Sequence, residues 1–468
     1  MINSRINESL LTIAHKTALT SKRLKKSSDF TGNVQTFRAF EYINYRFLWL
    51  STAFFSGGFW LQQIVIGWLA YNITQSALIT SIVMGLDALP ILLGAPLGGV
   101  ISEKFDKKKL IVGVYIYQAI LSSSFGIIVL IGQENIWNLF TFVFLMGISW
   151  TINDPCRISL LASIIPKDRL VNAFALNSMA FSIMRLVVPA VGGILIAFVG
   201  VGPLFFIQSS LILVASAVLC FIKTEKNTAK RESFSDSIKT IYPDLKFGLK
   251  FAIGQPVIVG LTFTTFLMMI LIMPFVQGLM PVYAAQVFNS GPERLGLLLS
   301  AAGIGSFVAT VFIASLKQIE RPGKIIFLIL GLIVISMISM SQNSNYYIAL
   351  GIVMLLSGCM MSYFSISSAT LQRFLPNDVR SRVTGLYMMV WGFIPIGSLA
   401  AGFIANVLGP QIATLTGALI LVSIATGAVF LCKELWQHNS ETTAIYREQT
   451  AVIPHRVSYK AGPKTETA

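Results

Sequence analysis

Long apolar runs separated by short polar segments dominate the chain. Each run is about as long as a membrane-spanning helix requires, roughly 20 mainly apolar residues. Six runs precede a polar stretch near the middle of the sequence, and six follow it. The runs lie at residues 47–71, 77–101, 110–132, 137–165, 171–199, 203–222, 257–284, 295–316, 324–341, 346–374, 382–408 and 411–432. The pattern predicts an all-α polytopic membrane protein with twelve transmembrane helices.

Polar segments divide the predicted spans into two six-helix halves. The expected units are an N-terminal arm, a first half, a central linker, a second half and a C-terminal tail, at residues 1–46, 47–222, 223–256, 257–432 and 433–468. Residues 160–176 align with 370–386 at an offset of 210, which also matches Gly192 to Gly402. The two halves are therefore expected to be pseudo-repeats. Many secondary transporters have this organisation, with the substrate site between the halves.

The composition excludes a soluble protein of this size. Hydrophobic residues make up 54% of the 468-residue chain and charged residues 12%, against about 25% charged in soluble domains, and the mean hydropathy is +0.73. Cysteines are few and far apart, and neither a Cys/His cluster nor a P-loop pattern occurs. We therefore expect no metal, no disulfide framework, no ATP site and no cofactor.

The basic residues are distributed very unevenly between the predicted loops. Of 35 Lys and Arg, 32 fall on the side of the termini, one (Arg294) on the opposite side, and two inside spans. By the positive-inside rule, this split predicts a multi-pass protein of the plasma (inner) membrane with both termini in the cytoplasm. The net charge of +15 thus reflects a cytoplasmic face in contact with the lipid bilayer, and no nucleic-acid partner is expected.

Four charged residues lie within the predicted spans, where ionisable side chains usually have a function. They are Asp87 in span 2, Asp154 and Arg157 in span 4, and Arg185 in span 5. Asp154 and Arg157 are three residues apart and are expected to share a helix face. We hypothesise that Asp87 gains and loses a proton during a transport cycle. The alternatives are a structural ion pair of Asp87 with one of the arginines, or proton uptake by the span 4 pair.

Span 1 carries polar and aromatic residues that are unusual in a lipid-facing helix. Trp60, Gln62 and Gln63 follow one another closely, and Asn177 lies in span 5. These side chains are candidates for lining a cavity that holds a partly aromatic substrate. Packing against other helices is the alternative for Trp60.

The loop after span 2 resembles the motif between spans 2 and 3 of the major facilitator superfamily, Gly-x-Leu-Ala-Asp-Arg-x-Gly-Arg-Lys. The residues that carry the resemblance, or depart from it, are Gly99, Glu103, Lys104, Asp106, Lys107 and Lys108. The departures are Glu for Asp, Lys for Arg, and Asp106 for Gly. The resemblance implies a latch that holds the cytoplasmic side closed. A solvated basic loop that only sets topology is the alternative.

Span 5 resembles the exporters' motif of that superfamily, which ends Gly-Pro-x-x-Gly-Gly. Pro189, Gly192 and Gly193 match it, and Val188 replaces the first glycine. Ordinary helix packing would use the same small residues. Further stretches around spans 1, 4, 5, 7 and 8 are similar to the drug and siderophore efflux branch, which includes enterobactin exporters and macrolide efflux proteins.

Together these features predict a monomeric secondary active transporter and no enzymatic activity. The resemblance implies proton-coupled export of a drug-like or siderophore-like small molecule by alternating access. An uptake carrier for a small solute, or a sensor that binds without transport on the same scaffold, are the alternatives. A flux assay separates these possibilities.

Overall fold

The computed structural model describes residues 39–92, 94, 101, 105–166, 169–223, 246–315, 321–375 and 377–431. Within them, the spans are helical and numbered here in chain order. The first half comprises α1 (Ile43–Thr74), α2 (Ala77–Leu86), α3 (Lys107–Leu130), α4 (Ile136–Ile164), α5 (Leu170–Val199) and α6 (Gly202–Cys220). The second comprises α7 (Pro256–Val287), α8 (Pro292–Ser315), α9 (Pro322–Gln342), α10 (Tyr346–Phe374), α11 (377–408) and α12 (Pro410–Leu431).

Ten of these helices are long and apolar enough to cross a membrane. The other two contribute shorter apolar helical segments, Ala77–Leu86 and Pro410–Ile424. The prediction of an all-α polytopic membrane protein is confirmed, and the helix order agrees with twelve spans in two halves. The first helix begins at Ile43, a little before the predicted start at residue 47.

Span 2 differs from the single uninterrupted run predicted over 77–101. Its helix ends at Leu86, a turn follows at Asp87 and Ala88, and helix resumes at 89–92. Pro90 accounts for this break, because proline has no N–H to donate to the carbonyl four residues earlier and its ring crowds that carbonyl. The run of apolar residues conceals the break from a hydropathy pattern.

Span 7 is also irregular, with three π-helical turns at Met268–Ile272, Pro274–Gly278 and Tyr283–Val287. Pro274 and Pro281 lie in this region, and each removes one backbone donor. In α11, a 3-10 turn at Val390–Phe393 joins two α-helical pieces. Such turns are common at functional sites in long helices.

The repeat predicted from sequence has a structural counterpart in α4 and α10. Adding 210 to the bounds of Ile136–Ile164 gives those of Tyr346–Phe374. The capping residues also correspond: Asn135 accepts a hydrogen bond from the backbone N–H of Asn138, and Asn345 accepts from those of Tyr347 and Ile348. The two helices therefore begin in the same way, with a side-chain cap that satisfies free N–H groups.

The two halves pack together through α5 with α8 and α2 with α11. Gly193 of α5 faces Gly296 of α8, and a Cβ atom on Gly193 would lie 3.1 Å from the Gly296 Cα. Between α2 and α11, the Ser76 hydroxyl lies 3.0 Å from the Asn406 side-chain oxygen. Small residues allow this close approach of helices within a membrane.

These inter-half contacts lie towards the end of the bundle opposite the termini. They extend from Ser76 and Asn406 down to Leu92 and Gly392, and along α5 to the level of Arg185. Near the other end, the hydrogen bonds among the described residues join helices of the same half, as between Tyr45 and Ala173. In the described part of the chain, the two halves are therefore in contact at the end opposite the start of α1.

Candidate functional site

Asp87 lies where α2 breaks, and two neighbouring helices hold this break. Its carboxylate Oδ2 accepts a hydrogen bond of 3.3 Å from the Nε2 of Gln63 in α1. Gly147 of α4 packs against the Asp87 backbone, because a Cβ atom there would collide with the Asp87 carbonyl oxygen. The structure thus gives Asp87 a neutral amide partner rather than the ion pair with Arg157 or Arg185 that was the alternative.

Asp154 and Arg157 interact on α4, as their spacing suggested. The charge of Arg157 acts on Asp154, while Asp154 Oδ1 accepts a hydrogen bond of 3.4 Å from Asn153 Nδ2. The Arg157 guanidinium also lies over the ring of Phe55, with its Cζ 5.4 Å from the ring centroid. The span 4 arginine therefore has both an opposite charge and an aromatic face close by.

Arg185 of α5 lies over the indole ring of Trp60, with its Cζ 5.0 Å from the ring centroid. Among the described residues, no carboxylate forms an ion pair with this guanidinium. The contact with Trp60 is favourable but supplies none of the hydrogen bonds that five N–H donors can make. Arg185 thus differs from Arg157 in having no countercharge in this part of the structure.

Trp60 belongs to a cluster of four aromatic rings from α1, α4 and α5. Phe59 contacts Trp60, Trp150 and Phe181 at centroid distances of 5.0, 4.6 and 5.9 Å. Trp60 contacts Phe181 at 5.5 Å, edge to face. Trp150 lies one turn before Asp154 on α4, so the aromatic cluster borders the charged residues of that helix.

Charged side chains in this region line an internal cavity. Asp154 is exposed and Asp87 and Arg185 are half-buried, although all three lie within the apolar runs of predicted spans. Because charged side chains within membrane spans nearly always face the bundle interior or a water-filled cavity, we infer that this accessible surface lines an internal cavity. Because the halves are in contact at the end opposite the start of α1, we infer that this cavity opens towards the end at which α1 begins.

The polar residues proposed to line the cavity form hydrogen bonds with different helices. Gln63 binds Asp87, whereas Gln62 is buried and accepts a hydrogen bond of 2.5 Å from Gln208 of α6. Gln62 therefore takes part in the packing of α1 against α6. Asn177 of α5 accepts a hydrogen bond of 2.8 Å from the Thr52 hydroxyl and joins α5 to α1.

A cluster of buried hydroxyl groups in the second half was not identified from the sequence. Thr264 and Thr265 of α7, Tyr363 and Ser367 of α10 and Tyr387 of α11 form hydrogen bonds of 2.7 to 3.1 Å. The offset of 210 was the signal that could have found it. The offset relates Asn153 to Tyr363, Arg157 to Ser367 and Asn177 to Tyr387.

The loop that resembles the superfamily motif is described only in part. Gly99, Glu103 and Lys104 lie outside the described residues. Asp106 caps α3 by accepting a hydrogen bond of 3.2 Å from the backbone N–H of Lys109. The Lys108 Nζ donates to the carbonyl oxygens of Cys220 and Ile222, both at 2.8 Å, at the end of α6.

Lys107, at the first position of α3, interacts electrostatically with Cys156 of α4. Asp106 and Lys108 thus stabilise helix ends within the first half, by capping free N–H and C=O groups.

The residues of the span 5 motif face two different helices. A Cβ atom on Gly192 would lie 2.9 Å from Leu61 of α1, whereas Gly193 faces the start of α8. The carbonyl oxygen of Pro189 lies against Gly296, and the Ser300 hydroxyl accepts a hydrogen bond of 3.0 Å from the Ala190 backbone N–H. The motif therefore lies at the contact between the two halves.

Two related six-helix halves around a polar internal cavity define the class of this protein: a polytopic membrane transporter of the major facilitator type. The model of one family in this superfamily, described as "Transmembrane secretion effector", matches residues 34–463. The chain belongs to the transmembrane secretion effector family.

Curated relatives come from the drug and siderophore efflux branch. The staphyloferrin A transporter of Staphylococcus aureus (strain NCTC 8325 / PS 47) is 24% identical over 376 residues, covering 76% of this chain and 89% of that protein. Macrolide efflux protein A of Streptococcus pyogenes is 20% identical over 375 residues, which cover 78% of this chain and 90% of that protein. The multidrug resistance protein MdtG of Proteus mirabilis (strain HI4320) is 24% identical over 274 residues, which cover 57% of this chain and 64% of that protein.

Solved structures of similar fold are major facilitator transporters. A bacterial homologue of the human lysosomal transporter Spinster, inward-facing and occupied, has a TM-score of 0.65 at 12% identity. The match covers 86% of this chain and 98% of that one. A D-xylose-proton symporter has a TM-score of 0.62 at 14% identity, with 86% and 99% covered. At these identities, the likeness establishes the fold.

Proposed function

We propose that the protein exports a drug-like or siderophore-like small molecule across the plasma (inner) membrane in exchange for protons, as a monomer. Relatives named for macrolide efflux, multidrug resistance and a siderophore support the substrate class. The asymmetry of the basic residues supports termini in the cytoplasm. With that orientation, the cavity between the halves is open to the cytoplasm, where the exported molecule is taken up.

The observation that carries the proposal is the position of Asp87. Its carboxylate borders the cavity at a helix break, and its hydrogen-bond partner is the neutral amide of Gln63. No cation neutralises it among the described residues. A carboxylate without a fixed countercharge is free to exchange a proton as its surroundings change.

Protonation of Asp87 changes its hydrogen bond with Gln63. The carboxylate accepts from the Gln63 Nε2–H group, but a protonated carboxyl group carries an O–H donor of its own. Gln63 then either turns its carbonyl oxygen towards Asp87 or loses the contact. The proton thereby alters the link between α1 and the break in α2, which lies beside the contact of α2 with α11.

In the alternating-access cycle that we propose, residues 47–222 rock against 257–432 while the 223–250 linker stays slack. The contacts of α5 with α8 and α2 with α11 separate, and the cytoplasmic end closes. The loop containing Gly99, Glu103 and Lys104 is the proposed latch of that closed state, together with Asp106, Lys107 and Lys108.

The test uses inverted vesicles and a panel of fluorescent dyes, macrolides and siderophores, with and without a proton gradient. We expect gradient-driven accumulation by the wild type and its loss in Asp87→Asn, which cannot ionise. Glu41→Gln is the matched control, because Glu41 is an exposed carboxylate before α1. Undiminished gradient-driven accumulation in Asp87→Asn would exclude Asp87 as the coupling residue.

The same vesicles separate the proposal from its alternatives. An uptake carrier would move substrate out of inverted vesicles under the gradient that drives accumulation by an exporter. A sensor would bind a member of the panel without moving it in either direction.

A further inference from the structure

Arg185 is a cation in the cavity with no countercharge among the described residues. Its contact is the face of Trp60, at 5.0 Å from Cζ to the ring centroid. The other intramembrane arginine, Arg157, interacts with Asp154, and Asp87 is bound by Gln63. Neither carboxylate therefore neutralises the charge of Arg185. An unpaired charge that is removed from bulk water is unfavourable in free energy.

Unused hydrogen-bonding groups accompany this arginine. The indole Nε1–H of Trp60 is buried and has no acceptor among the described residues, and Trp60 is only 8% exposed. One turn earlier on the same face of α1, the Ser56 hydroxyl is also buried and has no partner in the part of the chain that the structure describes. Buried polar groups nearly always have partners in a folded protein, so these two groups remain available to a bound molecule.

The Trp60 ring beneath Arg185 belongs to an aromatic cluster. The ring of Trp60 contacts both Phe59 and Phe181, and Phe59 also contacts Trp150 of α4. Rings in edge-to-face arrangements from three helices present a rigid apolar surface that suits a flat hydrophobic molecule. A low-polarity wall also strengthens an ion pair made beside it, because water screens the charges less.

We propose that this site binds small molecules that combine a carboxylate with an aromatic body, the carboxylate on Arg185 and the body against the Trp60 cluster. A guanidinium matches a carboxylate with two parallel N–H···O bonds, and the Trp60 N–H is the additional donor. This names the substrate class of the exporter proposed above and rests on that proposal for transport, but not for binding.

The test measures binding to the purified full-length protein in lipid nanodiscs, by equilibrium dialysis against empty nanodiscs. Three probes share one ring system and differ in charge: 2-naphthoate, 2-naphthamide and 2-naphthylmethylammonium. We expect 2-naphthoate to bind about ten- to hundredfold more tightly than the amide, as for a hydrogen-bonded charged group. The ammonium probe is expected to bind most weakly. This ranking of the three probes is measured on the wild-type protein alone, so it does not depend on whether a variant folds.

Variants then assign the preference to Arg185. In Arg185→Gln the affinities for carboxylate and amide should become equal within about twofold, and in Arg185→Lys the preference should be reduced but retained, since Lys keeps the charge without the planar fork. Arg294→Gln is the matched control, because Arg294 lies over a ring in the same way, 5.2 Å from the Tyr346 centroid, but in the second half. It should keep the full preference.

Several results would overturn the proposal: equal affinity of the wild type for all three probes, tightest binding of the ammonium probe, no binding of 2-naphthoate, or an unchanged preference in Arg185→Gln. The outcome is separable from that of the proposed function. Carboxylate-selective binding without proton-driven flux would refute export and leave the site standing. Proton-driven flux with a preference for neutral or cationic probes would refute the carboxylate site and leave the proposed export standing.

Discussion

The side-chain amide of Gln63 lies 3.3 Å from the Asp87 carboxylate and connects α1 to the break in α2. Its neighbour Gln62 points towards α6 and binds Gln208. Two adjacent glutamines thus serve different parts of the protein. One is in contact with the proposed proton site, and the other lies in the packing of the first half.

This difference predicts opposite effects for the same substitution. Gln63→Leu removes the donor to the Asp87 carboxylate, so we expect gradient-driven transport to fall about tenfold, the effect of losing a hydrogen bond to a charged group. Thermal stability should change little. Gln62→Leu leaves Gln208 buried without its acceptor and should lower the free energy of unfolding by about 1–3 kcal/mol.

Vesicle transport and thermal unfolding in detergent measure both properties on both variants. The reverse pattern, a stability loss in Gln63→Leu and a coupling loss in Gln62→Leu, would contradict the assignment.

The contact between α5 and α8 depends on the absence of a side chain at Gly193. In Gly193→Val, a Cβ atom would collide with the carbonyl oxygen of Pro292 and lie 3.1 Å from the Gly296 Cα. These are backbone atoms, which cannot relieve a clash by rotating as a side chain can. We therefore expect the helices to separate there and transport to be lost. Gly331→Ala in α9 is the control, because a Cβ atom there has no heavy atom within 4 Å.

Rates in vesicles, normalised to the amount of folded protein, give the comparison. Wild-type transport by Gly193→Val would show that the close approach is dispensable.

The hydroxyl cluster of the second half is predicted to be structural. Tyr387 bonds to Thr265 at 3.0 Å and to Ser367 at 3.1 Å, and so joins α11 to α7 and α10. Tyr387→Phe should lower the free energy of unfolding by about 1–2 kcal/mol without abolishing transport. Tyr347→Phe is the control, because Tyr347 is 75% exposed. An unaltered melting temperature in Tyr387→Phe would count against a stabilising role.

Hydropathy and residue type predict the number and order of the helices because each span must be apolar and long. They cannot predict the break at Asp87, since the run continues through it and only Pro90 marks the place. They identify Gln62 and Gln63 as candidates, but successive residues on a helix face different neighbours, and the tertiary packing decides which one reaches the cavity. Likewise, Arg157 and Arg185 look alike in sequence, and only the structure gives a countercharge to one and an aromatic cluster to the other.

A covalent link between the halves should stop the proposed cycle. The backbone nitrogen of Ala190 in α5 lies 3.0 Å from the Ser300 hydroxyl oxygen in α8, so the helices are close enough for a disulfide between these positions. In a background whose four native cysteines are replaced, we expect the pair Ala190→Cys and Ser300→Cys to cross-link on oxidation. Transport should be lost and should return on reduction.

The matched control cross-links two helices of one half. Ser123 of α3 and Ser209 of α6 have hydroxyl oxygens 2.8 Å apart, and the pair Ser123→Cys and Ser209→Cys should cross-link without blocking transport. The halves move as units in the proposed cycle, so a bond within one half should not hinder it. Full transport by the cross-linked Ala190–Ser300 pair, verified by its mobility shift on non-reducing gels, would mean that these helices need not separate.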